Sequence, residues 1–180
     1  MFRHISRLIV ALLLVGLAGG AASAQVVVPL PDQTQTSTLT ATVGEQCRIT
    51  VPANIAFAVT RVSVATVAAP ATVTIDNIVL ANASRQLRLS IRANAANFTP
   101  PIVGAVTWNA TNVTWNGSAW SNGGGFAGSL NNLTFTRLFD SNPGINSAQT
   151  NNLTFTLAAN SLVTRAGNHT LVMTWRVEAF

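Results

Sequence analysis

Leu87-Arg88-Leu89-Ser90-Ile91-Arg92 puts an aliphatic residue at every second position and a polar or charged one between. Side chains alternate across a β-strand, so this stretch reads as a strand with one dry and one wet face, the pattern of an antiparallel sheet packed on one side. The period of two continues in both directions. Toward the C-terminus, Leu171, Met173, Trp175 and Val177 share one face after the turn residues Ala166-Gly167-Asn168, and Thr170, Val172, Thr174, Arg176 and Glu178 share the other. Toward the N-terminus, Val73 and Ile75 precede a change of phase at Asp76-Asn77, then Ile78 and Leu80, which predicts a β-bulge or short turn. Ile55, Phe57 and Val59 follow the turn material Pro52-Ala53-Asn54, and Leu39, Ala41 and Val43 alternate with threonines. Helical periodicity is nearly absent. Eight or nine short strands separated by turn signals predict an all-β fold, an antiparallel β-sandwich of immunoglobulin-like or pilin-like type. A transmembrane barrel fits less well: Arg176 and Glu178 share the face of Phe180, and the chain has no tyrosine for an aromatic girdle.

The middle third is rich in turn residues. Asn116-Gly117, between Asn112-Val113-Thr114-Trp115 and Ser118-Ala119-Trp120, predicts a type I′ hairpin. Ser121-Asn122-Gly123-Gly124-Gly125 reads as a flexible loop; no lysine follows it, so it is no phosphate cradle. Asn131-Asn132-Leu133-Thr134-Phe135-Thr136 recurs as Asn151-Asn152-Leu153-Thr154-Phe155-Thr156, which predicts two similar strands with Leu and Phe inward and Thr outward. One repeat is too few for a solenoid.

Residues 1–24 have the features of a secretory signal peptide: Arg3 and Arg7, an apolar run from Leu8 to Leu17, and the small-residue ending Ala22-Ser23-Ala24. Cleavage before Gln25 is expected, since the apolar run is about half of what a bilayer span needs. The expectation is a secreted, periplasmic or cell-surface protein with no transmembrane segment after signal removal. Residues 25–36 form an N-terminal extension and residues 37–180 one domain, with no charge block or low-complexity linker dividing them.

Composition narrows the function classes. After residue 24 the chain carries eight arginines, no lysine, one histidine and five acids. The arginines are scattered from Arg48 to Arg176, which is not the clustered basic face of a nucleic-acid binder. His169 is the only histidine beyond residue 24 and Cys47 the only cysteine, so the usual three- and four-ligand zinc sets cannot be assembled from them. No G-x-S-x-G elbow supports a serine nucleophile, and the acids form no recognisable catalytic pair. No enzyme activity, metal or cofactor is expected. Cys47 reads as a buried small hydrophobe, an intermolecular cross-link or the remnant of a lost pair.

Trp108, Trp115 and Trp120 have two readings. Aromatics clustered on a β-surface stack on sugars, which would make the protein a secreted glycan- or cell-wall-binding module; the same rings equally serve as core. Sequons at Asn82, Asn97, Asn109, Asn112, Asn116, Asn132, Asn152 and Asn168 follow from a composition rich in Asn, Ser and Thr, and would carry glycans in a eukaryotic secreted protein.

Thr38-Leu39-Thr40-Ala41-Thr42-Val43, then Cys47-Arg48-Ile49 and Ile55-Ala56-Phe57, resembles the opening of spore coat protein U and related chaperone-usher fimbrial subunits. The ending agrees: Arg165-Ala166-Gly167-Asn168-His169-Thr170 leading into a terminal alternating strand is similar to the last strand of those subunits. The partner cysteine of the family's disulfide is missing, and Ala58 stands where glycine is common. Trp175-Arg176-Val177 also resembles part of a WxL wall-binding domain, with the leucine replaced. The fimbrial resemblance implies a structural or adhesive surface subunit with an incomplete immunoglobulin-like fold, completed by the N-terminal extension of the next subunit. It implies like subunits as partners, with a periplasmic chaperone and an usher for assembly. Residues 25–36 are then the candidate donor strand, with Val26, Val28 and Leu30 on its inserted face. Pro29 and Pro31 both remove N–H groups on the same side, so the strand would pair well along one edge and poorly along the other. A mobile leader to a complete sandwich is the alternative for this segment.

Overall fold

A computed structural model of the chain describes residues 37–180. The compact unit spans Thr42–Phe180; residues 37–41 belong to a separate unit and are exposed chain without secondary structure. The compact unit is all-β and antiparallel, with a sandwich-like arrangement of three sheets. Its strands are β1 (Gln46–Thr50), β2 (Thr66–Val67), β3 (Ala71–Val79), β4 (Leu87–Ala93), β5 (Val113–Trp115), β6 (Gly123–Gly125), β7 (Gly128–Ser129), β8 (Thr136–Ser141), β9 (Gln149–Leu153), β10 (Phe155–Leu157) and β11 (Met173–Ala179), with one 3₁₀ turn at Ala110–Asn112.

The first sheet has the order β1-β3-β9, the second β2-β10-β5-β7 and the third β11-β4-β8-β6. The first two continue into each other. Val67 lies opposite Thr156, the Ala68 N–H donates to the Phe155 carbonyl, and Ala71 lies opposite Leu153, so one long antiparallel ladder runs through both. The core lies on the inward faces: Val73, Ile75, Leu153, Phe155 and Trp115 from the first two sheets, Leu89, Ile91 and Phe139 from the third, each 2% exposed or less.

The alternation in residues 87–92 becomes β4, with Leu87, Leu89 and Ile91 buried. Its register with β8 slips by one residue at Leu138, and the bulge turns both Leu138 and Phe139 into the core. The phase change at Asp76-Asn77 is also a bulge. Gln46 faces Val79 but Arg48 faces Asp76, which leaves one extra residue on β3, and Asn77 takes a left-handed φ of 51° there. Asparagine tolerates that region better than most residues because its short side chain can bond locally.

Four expectations are corrected. Leu39 and Val43 are 96% and 70% exposed and in no strand; the first strand starts at Gln46 instead. Asn116-Gly117 makes no hairpin: neither residue has positive φ, and β5 pairs with β7 and β10 because the core takes Trp115 between them. Gly123–Gly125 is strand β6 and not a loop, since a bare backbone can slip beside β8 where a Cβ on Gly123 would strike the Asp140 carbonyl. The repeated hexapeptide takes two structures. Leu153 and Phe155 are buried in β9 and β10 as expected, but Leu133 is 81% exposed in a turn. The Asn131 side-chain oxygen accepts the N–H groups of Leu133 and Thr134 and holds that turn.

Candidate binding groove

Among the described residues, strand β11 pairs with β4 on one side and with no other strand. Phe180 and Gln86 exchange both backbone bonds, and Val172 accepts from Asn94. In an antiparallel ladder these bonds recur at every second residue, so the even-numbered residues of β11 face β4. The odd-numbered ones, Met173, Trp175, Val177 and Ala179, together with Leu171 just before the strand, turn their N–H and C=O toward the free edge. Their side chains face the core yet are only half buried.

Opposite that edge lies residues 51–59, whose Ile55, Phe57 and Val59 are also half buried and alternate with exposed Asn54, Ala56 and Ala58. The sequence alternation is therefore present, but this segment pairs with no strand among the described residues, and the Val59 N–H turns back to the Phe57 carbonyl at 3.0 Å. A groove of about 830 Å³ runs between the two stretches, floored by Phe98, Trp108, Val113, Leu130, Phe155 and Leu157. Among the described residues, no Asp, Glu, Lys or Arg lines it, and its polar lining comes from Asn54, Asn168, His169 and Thr170. Apolar side chains laid on the floor would be buried there, whereas a carboxylate or ammonium would meet no Asp, Glu, Lys or Arg of opposite charge.

His169 lines one end of this groove. Its ring stands edge-on to Trp108, with centroids 5.1 Å apart at 83°; Nε2 donates to the Arg165 carbonyl at 3.1 Å, and Nδ1 and the Thr107 hydroxyl share a hydrogen bond of 2.8 Å. That arrangement fixes the chain reversal before β11. Cys47 is half buried on β1, where burial and then the nearby Asp76 charge push its thiol up from the usual range.

Trp108, Trp115 and Trp120 are 4%, 2% and 6% exposed, so none presents a ring face to a sugar. The Trp108 and Trp115 indole N–H groups donate to the Ala158 and Phe126 carbonyls, and Trp120 stacks on Phe139 with centroids 4.3 Å apart. The structure thus uses all three as core. Val26, Val28 and Leu30 lie outside the described residues.

Each acid among the described residues is bonded to arginine: Glu45 to Arg85, Asp76 to Arg48, Asp140 to Arg88 and Arg137, Glu178 to Arg176. No group of three or more His, Cys, Asp or Glu able to hold a metal occurs among the described residues. Nor does any helix there have the length and apolarity to cross a membrane. The groove was legible in the sequence only as two alternating segments; that, among the described residues, neither has a partner on the groove side is a property of the assembled sheets. Compared with known proteins, the chain matches no family model and no curated protein.

Proposed function

We propose that this chain is an exported structural or adhesive subunit, similar to fimbrial and coat subunits, that works by accepting a β-strand from a like subunit. One observation carries the reading: strand β11 and residues 51–59 flank a groove with no Asp, Glu, Lys or Arg in its lining, and among the described residues each lacks a strand partner on that side. Strand addition would supply backbone hydrogen bonds along β11 and pockets for alternate side chains over Trp108 and Phe155. Half-buried Met173, Trp175 and Val177 would become core.

Residues 25–36 are the proposed donor. Val26, Val28 and Leu30 are uncharged and two apart, which matches a groove without charged lining. Val28→Arg places a cation in that apolar site and leaves the chain's own sandwich untouched. The expected result is a folded monomer that fails to assemble, with deletion of residues 25–36 doing the same. Native gels and electron microscopy of surface fractions, from cells that also express the neighbouring genes, make the comparison. Assemblies indistinguishable from wild type in both variants, or a wild type that stays monomeric, would remove the reading.

A further inference from the structure

We infer that one end of the compact unit, built from three joined β-turns, docks on an anionic phospholipid bilayer, with Val103 and its aliphatic neighbours entering the headgroup boundary and Arg61 and Arg165 lying at the phosphates. The inference does not depend on the strand-acceptor reading.

Residues 61–64, 102–105 and 160–163 are β-turns, each closed by the N–H of the fourth residue donating to the carbonyl of the first, at 3.2, 3.1 and 3.1 Å. Asn160 joins them. Its backbone N–H donates to the Val62 carbonyl at 2.6 Å and its side chain to the Thr107 carbonyl at 3.1 Å. Gly167 abuts the base of the middle turn, where an added Cβ would come within 2.7 Å of Pro101. The joined turns present Val64, Ile102, Val103, Val106 and Leu162 to solvent; Val103 is 100% exposed and the others 48% or more. Scattered singly, such residues need no explanation, but five on three joined turns make an apolar patch, and an apolar patch marks a contact surface.

Charge is sorted along the same axis. Among the described residues, five arginines are bonded to acids, and Arg61, Arg92 and Arg165 are not. Two of those three are at this end: Arg61 opens the first turn, Arg165 follows the third, and both are exposed. Residues 60–70, 99–107 and 160–170 contain no Asp or Glu. The acids gather toward the other end, where Glu178 and Asp140 both stand opposite Arg88 and Glu45 bonds Arg85. From Glu178 back to Thr170, which bridges to Thr99 beside the turns, is eight residues, roughly 26 Å of extended chain. Asp76 is held by Arg48 on β1.

The shape favours lipid over protein. A projecting turn with a fully exposed tip suits a medium that yields around it, whereas a protein partner would need a matching socket and about 800 Å² on each side. Backbone polarity is low where insertion would occur: Pro100 and Pro101 have no N–H, and the Ala105 N–H is already bonded within the turn. Cations beside an apolar tip, with no carboxylate between them, complement anionic headgroups while the aliphatics supply buried area.

The test is co-sedimentation of residues 25–180 with vesicles of equimolar phosphatidylcholine and phosphatidylglycerol, and with vesicles of phosphatidylcholine alone. Binding to the anionic vesicles should be about tenfold tighter or more, and should weaken as salt is added. Val103→Asp should weaken it about tenfold, and Arg61→Gln with Arg165→Gln about fivefold or more, with melting temperatures unchanged because all three side chains are exposed. Val43→Asp is the control. Val43 is also exposed but lies two residues from Glu45, and its substitution should leave binding as it was. No binding to anionic vesicles overturns the inference, as does binding that Val103→Asp leaves intact. Equal binding to both vesicle types overturns the role of the arginines. If wild type binds no vesicles and Val103→Asp instead dissociates an oligomer seen by analytical ultracentrifugation without lipid, the turns are a contact between copies and the bilayer is ruled out.

Discussion

Phe155 and Trp175 meet edge to face, with ring centroids 6.5 Å apart and planes at 87°, and so join β10 to β11 across the interior. Phe155 is 1% exposed, whereas Trp175 is half buried because its other side forms the groove wall. Truncating the two should therefore cost different amounts. Phe155→Ala is expected to destabilise by about 3–5 kcal/mol, as large-to-small changes in closed cores do, and Trp175→Ala by about 1–3 kcal/mol, since part of its surface is already wet. Urea unfolding of both variants reads the difference, and equal losses would contradict the openness of the groove.

The two copies of Asn-Asn-Leu-Thr-Phe-Thr provide an internal control. Leu153 is 1% exposed and Leu133 81% exposed within the same hexapeptide. Leu153→Ala should cost about 2–5 kcal/mol and Leu133→Ala less than about 0.5 kcal/mol. Thermal unfolding of the two variants side by side is sufficient.

Glycines 124 and 125 make a similar pair on β6. A Cβ on Gly125 would collide with the Ser118 carbonyl, while one on Gly124 meets only the Phe126 ring, at an ordinary 3.5 Å. Gly125→Ala should destabilise by about 1–3 kcal/mol through forced backbone displacement, and Gly124→Ala should be tolerated. Denaturant midpoints would separate them.

Acid should weaken the fold through its arginine-bound carboxylates. Burial alone would raise the Asp140 pKa, but bonds from Arg88 at 2.9 and 3.0 Å and from Arg137 at 2.9 Å outweigh it and hold the group below its ordinary value. Glu45 is lowered by Arg85 and Asp76 by Arg48. A carboxylate depressed in the folded state contributes fully above its unfolded pKa, about 3.9 for Asp, and loses that contribution as pH falls through the folded value. Melting temperature should therefore be level near neutrality and fall below about pH 4. Asp140→Asn should cost about 1–2 kcal/mol at pH 7 and make the acid limb shallower. An acid limb as steep as wild type would assign the loss to the other acids.

Period-two alternation by itself determined the strand character of residues 71–79, 87–93 and 173–179 and which of their side chains face the core, because in a pleated strand side-chain direction depends only on position parity. It also located the break at Asp76-Asn77, since a slip of phase has to be absorbed by an extra residue. Three matters waited for the tertiary structure. Whether Asn-Asn-Leu-Thr-Phe-Thr is turn or strand depends on what surrounds it: the Asn131 side chain captures two N–H groups in one copy, while the β3 ladder takes the other. Gly123–Gly125 pair as a strand with β8, which at Gly123 comes closer than a side chain would allow, a distance no local pattern encodes. The groove exists because Ile55, Phe57 and Val59 on one side and Leu171, Met173 and Trp175 on the other alternate like paired strands and yet have no neighbour between them among the described residues. Alternation reports which face of a strand is dry; only the assembled sheets report which of its edges is empty, because backbone hydrogen bonding lies in the sheet plane, at right angles to the side chains that write the pattern.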